Sequence, residues 1–195
     1  ETYSLYSSYN PNINTNKLRY NFSSLTTPSS VIEYDMITRE KKVLKENEVL
    51  GEFNKDNYTS KRVWANARDG KKVPISLVYR KDKYIEGSNP LLIYAYGSYG
   101  ITNNPNFCSV RLSLLDRGFI YAIAHIRGSQ YLGRERYDDG KMFNKKNTFT
   151  DFIDCGKFLI KAKFADKNKL FAMGGSAGGL LMGAVSNMAP ELFKG

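Results

Sequence analysis

Histidine is almost absent: the 195-residue chain holds one, His125. Cysteine is nearly as scarce, and Cys108 and Cys155 have neither the spacing of a zinc site nor the number a disulfide framework needs. Two reduced, buried thiols in a reducing compartment such as the cytoplasm are the expectation. No stretch approaches the roughly 18 uninterrupted apolar residues of a membrane helix. The N-terminal Glu1-Thr-Tyr-Ser lacks the charged-then-apolar pattern of a signal segment, and no membrane partner is expected. Nucleotide-binding spacings are missing too. A P-loop needs Gly-Lys-Ser/Thr after four spacers and a dinucleotide turn needs Gly-x-Gly-x-x-Gly, and neither occurs, so the reading includes no cofactor and no metal.

Basic charge is not lacking: 29 Lys and Arg against 19 Asp and Glu give a net charge of +10. The basic residues are scattered, with no run longer than two, and no nucleic-acid motif organises them, so a solvated surface is read and no nucleic-acid partner. Their distribution is uneven. Residues 1–60 carry 7 basic and 8 acidic side chains and residues 61–195 carry 22 and 11, which agrees with a boundary near residue 60. A hydrophobic content of 42% suffices for a packed core.

What is present is a turn of small residues between two apolar runs, Lys169-Leu-Phe-Ala-Met-Gly-Gly-Ser-Ala-Gly-Gly-Leu-Leu-Met-Gly-Ala-Val185. It reads as a strand, a sharp turn at Ser176 and a helix, the form of a nucleophile elbow. Gly174 and Gly178 suit it because a side chain two residues from such a serine would clash, with Gly175, Ala177 and Gly179 expected to relieve the crowding further. The helix would aim unsatisfied N–H groups at the turn, so the Ala177 N–H could donate to a developing oxyanion. Ser176 is the candidate nucleophile.

A serine needs a base, usually a histidine held by a carboxylate, and in this elbow class both follow the serine in the chain. The 19 residues after Ser176 contain one acid, Glu191, and no histidine. His125 lies upstream in the apolar run Phe119–Ile126 and reads as a hydrogen-bonded structural histidine at a strand end. The chain is therefore expected to be a fragment.

Along the chain, residues 1–56 read as short strands, Leu18–Phe22, Val31–Asp35 and Lys42–Lys45, that need neighbours to cover them, as a propeller blade has. From Arg62 onward strands alternate with helices: strands at Arg62–Ala67, Val73–Arg80, Leu91–Tyr96, Phe119–Ile126 and Leu170–Met173, helices at Asn106–Asp116, Thr148–Lys163 and Ala177–Met188. Thr148-x-x-Asp151 reads as a capping box, with Phe149, Phe152, Ile153, Gly156 and Ile160 on one face opposite Asp151, Asp154 and Lys161. The alternation implies a mostly parallel sheet covered on both sides, with the elbow at a strand's C-terminal end.

Many blocks in order then carry a resemblance. They include Tyr20-x-Phe22-Ser-Ser-Leu-Thr-Thr-Pro28, Val63-Trp-Ala65 with Ala67-Arg-Asp-Gly70, Tyr96-Gly-Ser-Tyr-Gly100, Arg111 through Gly128, Lys145-Lys-Asn-Thr-Phe-Thr-Asp-Phe152 and Gly174-Gly-Ser-Ala-Gly-Gly179. On these the chain is similar to oligopeptidase B, of the prolyl oligopeptidase group of serine peptidases. The resemblance implies an α/β fold: residues 1–60 as the last strands of a β-propeller, and residues 61–195 as the N-terminal half of an α/β-hydrolase domain, truncated after the elbow. It implies cleavage of short peptides after Lys or Arg, with the propeller screening out folded proteins. It makes Ser176 the nucleophile, Tyr96 a hydroxyl donor that joins the Ala177 N–H in the oxyanion hole, and Tyr99 an aromatic near the substrate. Tyr96 also suits that role by position, since it ends an apolar strand before the flexible Gly97-Ser-Tyr-Gly100. Tyr131 stands where the family has Glu, and Glu135-Arg136 where it has a small residue and Trp. The acids for a basic P1 side chain, and the triad Asp and His, would lie beyond residue 195. Two rival readings remain: an esterase with the same elbow, and a non-catalytic interaction protein that has shed its triad.

Overall fold

A computed structural model describes residues 2–195. The first part is an antiparallel meander of four strands, β1 (Tyr3–Ser7), β2 (Lys17–Ser24), β3 (Ser30–Asp35) and β4 (Lys41–Glu46), in that spatial order. Sequence reading gives three of them. β1 escapes it because Tyr-Ser-Leu-Tyr-Ser has no β-branched residue and is mostly exposed. The β3–β4 turn is set by Asp35, whose carboxylate accepts the N–H groups of Ile37 (2.9 Å) and Thr38 (3.0 Å) and the ammonium of Lys17 (2.8 Å). β4 is exposed along its whole length.

The second sheet contains β5 (Tyr58–Asn66), β6 (Lys72–Arg80), β7 (Leu91–Tyr94), β8 (Ile120–Ala124) and β9 (Leu170–Met173), in the order β5-β6-β8-β7-β9. The expectation of a mostly parallel sheet is met with one exception, β6, which runs against the other four strands. β8, β7 and β9 are parallel, but β6 runs antiparallel to both β5 and β8. The physical reason lies in the connection: β5 and β6 are joined through only residues 67–71, and parallel neighbours need a crossover of a dozen or more. Gly70, at φ 84°, makes that turn.

Both faces of the sheet are covered. Helices α1 (Ser109–Leu115), α2 (Arg134–Asp138), α3 (Lys145–Lys161) and α4 (Ala177–Met188) fill the connections. On one face, Phe152 and Leu159 of α3 and Leu181 and Val185 of α4 bury Val73, Ile75, Leu77, Leu91 and Ile93. On the other, Leu115 of α1 and Leu25, just past β2, pack with Tyr58, Val78, Tyr121 and Ile123. Alternation along β6 divides its side chains between the two layers, as a period of two requires.

Two readings of α3 are corrected. The helix begins at Lys145, three residues before the expected start, and Thr148 caps nothing: its hydroxyl donates to the Gly140 carbonyl at 3.0 Å. Asp151 is not on an outer face but fully buried, because it is the partner of Arg127. Likewise, α1 begins at Ser109 rather than Asn106, and Cys108 is exposed, not buried; Cys155 is buried, and both thiols are free.

Candidate active site

β9 ends at Met173 and α4 starts at Ala177, so the chain reverses within three residues. The reversal centres on Ser176, at φ 55° and ψ −120°, a conformation that costs a non-glycine residue about 1–3 kcal/mol. The side chain is exposed and makes no capping hydrogen bond. The first turn of the helix closes through Gly178 N–H to Gly175 O and Gly179 N–H to Ser176 O, both 2.8 Å.

The flanking glycines divide by contact. A Cβ on Gly174 would stand 2.5 Å from the Gly178 carbonyl oxygen, and one on Gly178 would stand 3.0 Å from the Ala95 oxygen. Gly175 and Gly179 face open space, so the expectation that they too relieve crowding is not met. Only the glycines two residues either side of Ser176 are sterically required.

The same close approach brings the other candidates to the elbow. That Cβ on Gly178 would also stand 3.6 Å from Tyr96 Cα and 3.9 Å from its ring, so Tyr96, half-buried just past β7, flanks the start of α4. Ala177 is the first helical residue, and its N–H has no acceptor within the helix. Tyr99, 75% exposed and at φ 57°, holds its ring 6.5 Å from that of Tyr96. Tyr99, Ala177, Tyr137, Lys145 and Leu180 line a cleft of about 480 Å³.

His125 stands apart from this cleft. Its Nε2 is 2.7 Å from Ser76 Oγ and its ring stacks on Tyr131 at 3.7 Å between centroids. Burial, aided by the nearby Arg62 charge, pushes its pKa down to about 3, which keeps the ring neutral. The structural role expected for this residue is the one it has.

Three features of the site were invisible in the sequence. Arg127, 3% exposed, pairs through two nitrogens with buried Asp151 (2.9 and 2.6 Å) and through a third with Asp69 (2.5 Å). Gly97, Gly128 and Gly140 interlock: a Cβ on Gly128 would fall on the Gly97 carbonyl, and one on Gly140 would fall on the Gly128 nitrogen. Lys145 reaches across to the Gly97 carbonyl. Each joins residues 12 or more positions apart, and the only local hint was the density of Gly, Ser and Tyr around them. Among the described residues no group of His, Cys, Asp and Glu could hold a metal ion.

Comparison with known proteins follows this geometry. Residues 1–47 match the family description "Prolyl oligopeptidase, N-terminal beta-propeller domain", and residues 105–195 match "Prolyl oligopeptidase family". The chain is 55% identical over 193 residues to dipeptidyl aminopeptidase BI of Pseudoxanthomonas mexicana, covering 98% of this chain and 27% of that protein. It is 44% identical to protease 2 of Moraxella lacunata over 92% of this chain and 26% of the relative. Among solved structures, oligopeptidase B from Leishmania major superposes with a TM-score of 0.88 at 40% identity, over 99% of this chain and 27% of that one. The chain thus spans about a quarter of the length of these relatives. It belongs to the prolyl oligopeptidase family of serine peptidases, carrying strands of the family's N-terminal propeller followed by the start of its peptidase domain.

Proposed function

We propose that the protein containing this chain is a serine oligopeptidase that works by acylation and deacylation at Ser176. The observation that carries this reading is the exposed Ser176 at φ 55°, on a strand-to-helix reversal flanked by Tyr96. In the proposed step the Ser176 hydroxyl adds to the scissile carbonyl carbon while its proton passes to a histidine supplied by residues outside 1–195. The carbonyl oxygen becomes an oxyanion, held by the Ala177 N–H and the Tyr96 hydroxyl. Collapse expels the leaving amine, which takes the proton back from the histidine. Water then attacks the acyl-serine and regenerates the hydroxyl.

The proposed substrates are short peptides, bound beside Tyr99 and cleaved after Lys or Arg. Neither a nucleic acid nor a membrane surface belongs to this reading. Two free thiols support a reducing compartment, the cytoplasm. The division near residue 60, with propeller strands before it and hydrolase after, is supported by the two separate sheets. A second specificity is favoured by the 55% identity to a protein named a dipeptidyl aminopeptidase, namely release of N-terminal dipeptides. A panel of internally basic peptides and blocked or free dipeptide substrates separates the two.

Expressed from its complete gene, the protein with Ser176→Ala is expected to lose peptide cleavage and labelling by a fluorophosphonate probe. Retained turnover in that variant refutes the assignment. The 195-residue chain alone is expected to be several orders of magnitude slower, because it lacks the base. Its rapid stoichiometric labelling would contradict this.

A further inference from the structure

Among the described residues Lys145 is the one ammonium that reaches into the backbone of the candidate site. From the first residue of α3 its Nζ donates to the Gly97 carbonyl at 2.5 Å and to Ser98 Oγ at 2.7 Å. No carboxylate pairs with it among the described residues, and burial pushes its pKa down. An apolar side chain would fill the same space without the cost of withdrawing a charge from water. The donors are therefore what this position supplies.

Their acceptors lie immediately after Tyr96. β7 ends at Tyr94, and the last sheet bond before Tyr96, Ala95 N–H to Met173 O, is long at 3.4 Å. Beyond it the ladder no longer fixes the chain, and the Tyr96 ring direction depends on what holds Gly97. Three elements do. Thr148 of α3 and Ile126 after β8 crowd the Cα of Gly97 so closely that no Cβ could be added, and φ 67° itself favours glycine. Gly128 backs onto the Gly97 carbonyl. Lys145 then takes that carbonyl. Lys145 and Thr148 are three residues apart on one helix face, so the first turn of α3 grips Gly97 with two side chains at once. Hydrogen bonds from a charged donor are shorter and stronger than neutral ones, which suits Lys145 to holding a peptide plane in one orientation.

We infer that Lys145 is a positioning residue for the reaction proposed above: by fixing the Gly97–Ser98 peptide it sets the pose of the Tyr96 hydroxyl over the elbow. The inference rests on that reading of Ser176 and Tyr96, and its test separates the two. In the protein expressed from its complete gene, Lys145→Met is expected to lower kcat for a basic peptide by about tenfold to a hundredfold, the order that a 1 Å misplacement costs. KM is expected to stay within about threefold, because the lost interaction is with the enzyme's own backbone. The discriminating measurement is a double-mutant cycle with Tyr96→Phe. If Lys145 acts through the Tyr96 hydroxyl, adding Lys145→Met to Tyr96→Phe costs less than about threefold in kcat.

Ser98→Ala removes one of the two acceptors without touching α3, and carries the same cycle should Lys145→Met fail to fold. Its expected loss is several-fold in kcat, again absorbed by Tyr96→Phe. Wild-type kcat in Lys145→Met, or losses that multiply across either cycle, would overturn the role assigned to Lys145. An inactive Ser176→Ala beside such a result leaves the reaction standing and removes the positioning role alone, whereas an active Ser176→Ala removes the reaction itself.

Discussion

Ser176 and His125 are the two residues whose environments most constrain chemistry, and they illustrate opposite degrees of legibility. Ser176 could be placed from its neighbours, because glycines at both second positions signal a backbone too crowded for Cβ, and the contacts at Gly174 and Gly178 are of that kind. His125 could be classed as structural from its apolar run, but its partners Ser76 and Tyr131 come from another strand and a loop. Its burial has a consequence for stability. With a folded pKa of about 3 against an ordinary value of 6.5, the unfolded chain binds the proton more readily, so the neutral ring's contribution is complete above pH 6.5 and is lost as pH falls from there toward 3. Up to about 5 kcal/mol is at stake across that window, by the conversion of 1.36 kcal/mol per pH unit. Urea unfolding of the wild-type chain and of His125→Gln at pH 7.5 and pH 4.5 checks this: the loss of stability on acidification is expected to be distinctly smaller in the variant.

At the scale of elements, α3 shows how a local pattern can mislead. Thr148-x-x-Asp151 has the spacing of a capping box, yet both side chains are used elsewhere, Thr148 on Gly140 and Asp151 on Arg127. A buried guanidinium 24 residues upstream cannot be seen from the helix sequence, and it outweighs the cap. The pair has side-chain exposures of 3% and 0%, so the Asp151 charge depends on Arg127, which Asp69 reaches as well. Arg127→Met, which leaves Asp151 buried without its partner, is expected to destabilise the chain by about 3–5 kcal/mol. Arg127→Met with Asp151→Leu is expected to recover much of that, since an apolar pair avoids the desolvation of either ion. Denaturant midpoints for the wild type, single and double variants measure the difference; a single variant as stable as the wild type would contradict the burial argument. The strands were easier to read. β9 and α4 fall where the apolar runs placed them, whereas the direction of β6 depended on the length of a hairpin.

The whole molecule is two sheets joined by a shared apolar layer. Leu25, 2% exposed, inserts from the end of the meander among Tyr58, Val78, Leu115, Tyr121 and Ile123. Polar contacts flank it: the Phe107 N–H donates to Ser23 Oγ at 3.0 Å, and the Tyr58 hydroxyl donates to Asp116 at 2.6 Å, with burial and that carboxylate raising the Tyr58 pKa to about 12. Leu25→Ala is expected to cost about 2–5 kcal/mol. Because the layer is common to both sheets, the variant's far-ultraviolet circular dichroism and its tryptophan fluorescence, reporting Trp64 in β5, are expected to shift together on denaturation. Transitions that separate would show that the meander unfolds independently. The sequence by itself determined the strand–helix alternation, the elbow at Ser176 and the structural standing of His125, because each is written in residues within a few positions of one another. Only the tertiary structure decided the pairing of β6 with β8, the burial of Arg127 with Asp151 and the hold of Lys145 on Gly97. Those depend on which distant backbones come close enough to exclude a Cβ or share a proton, and no local pattern encodes such distances.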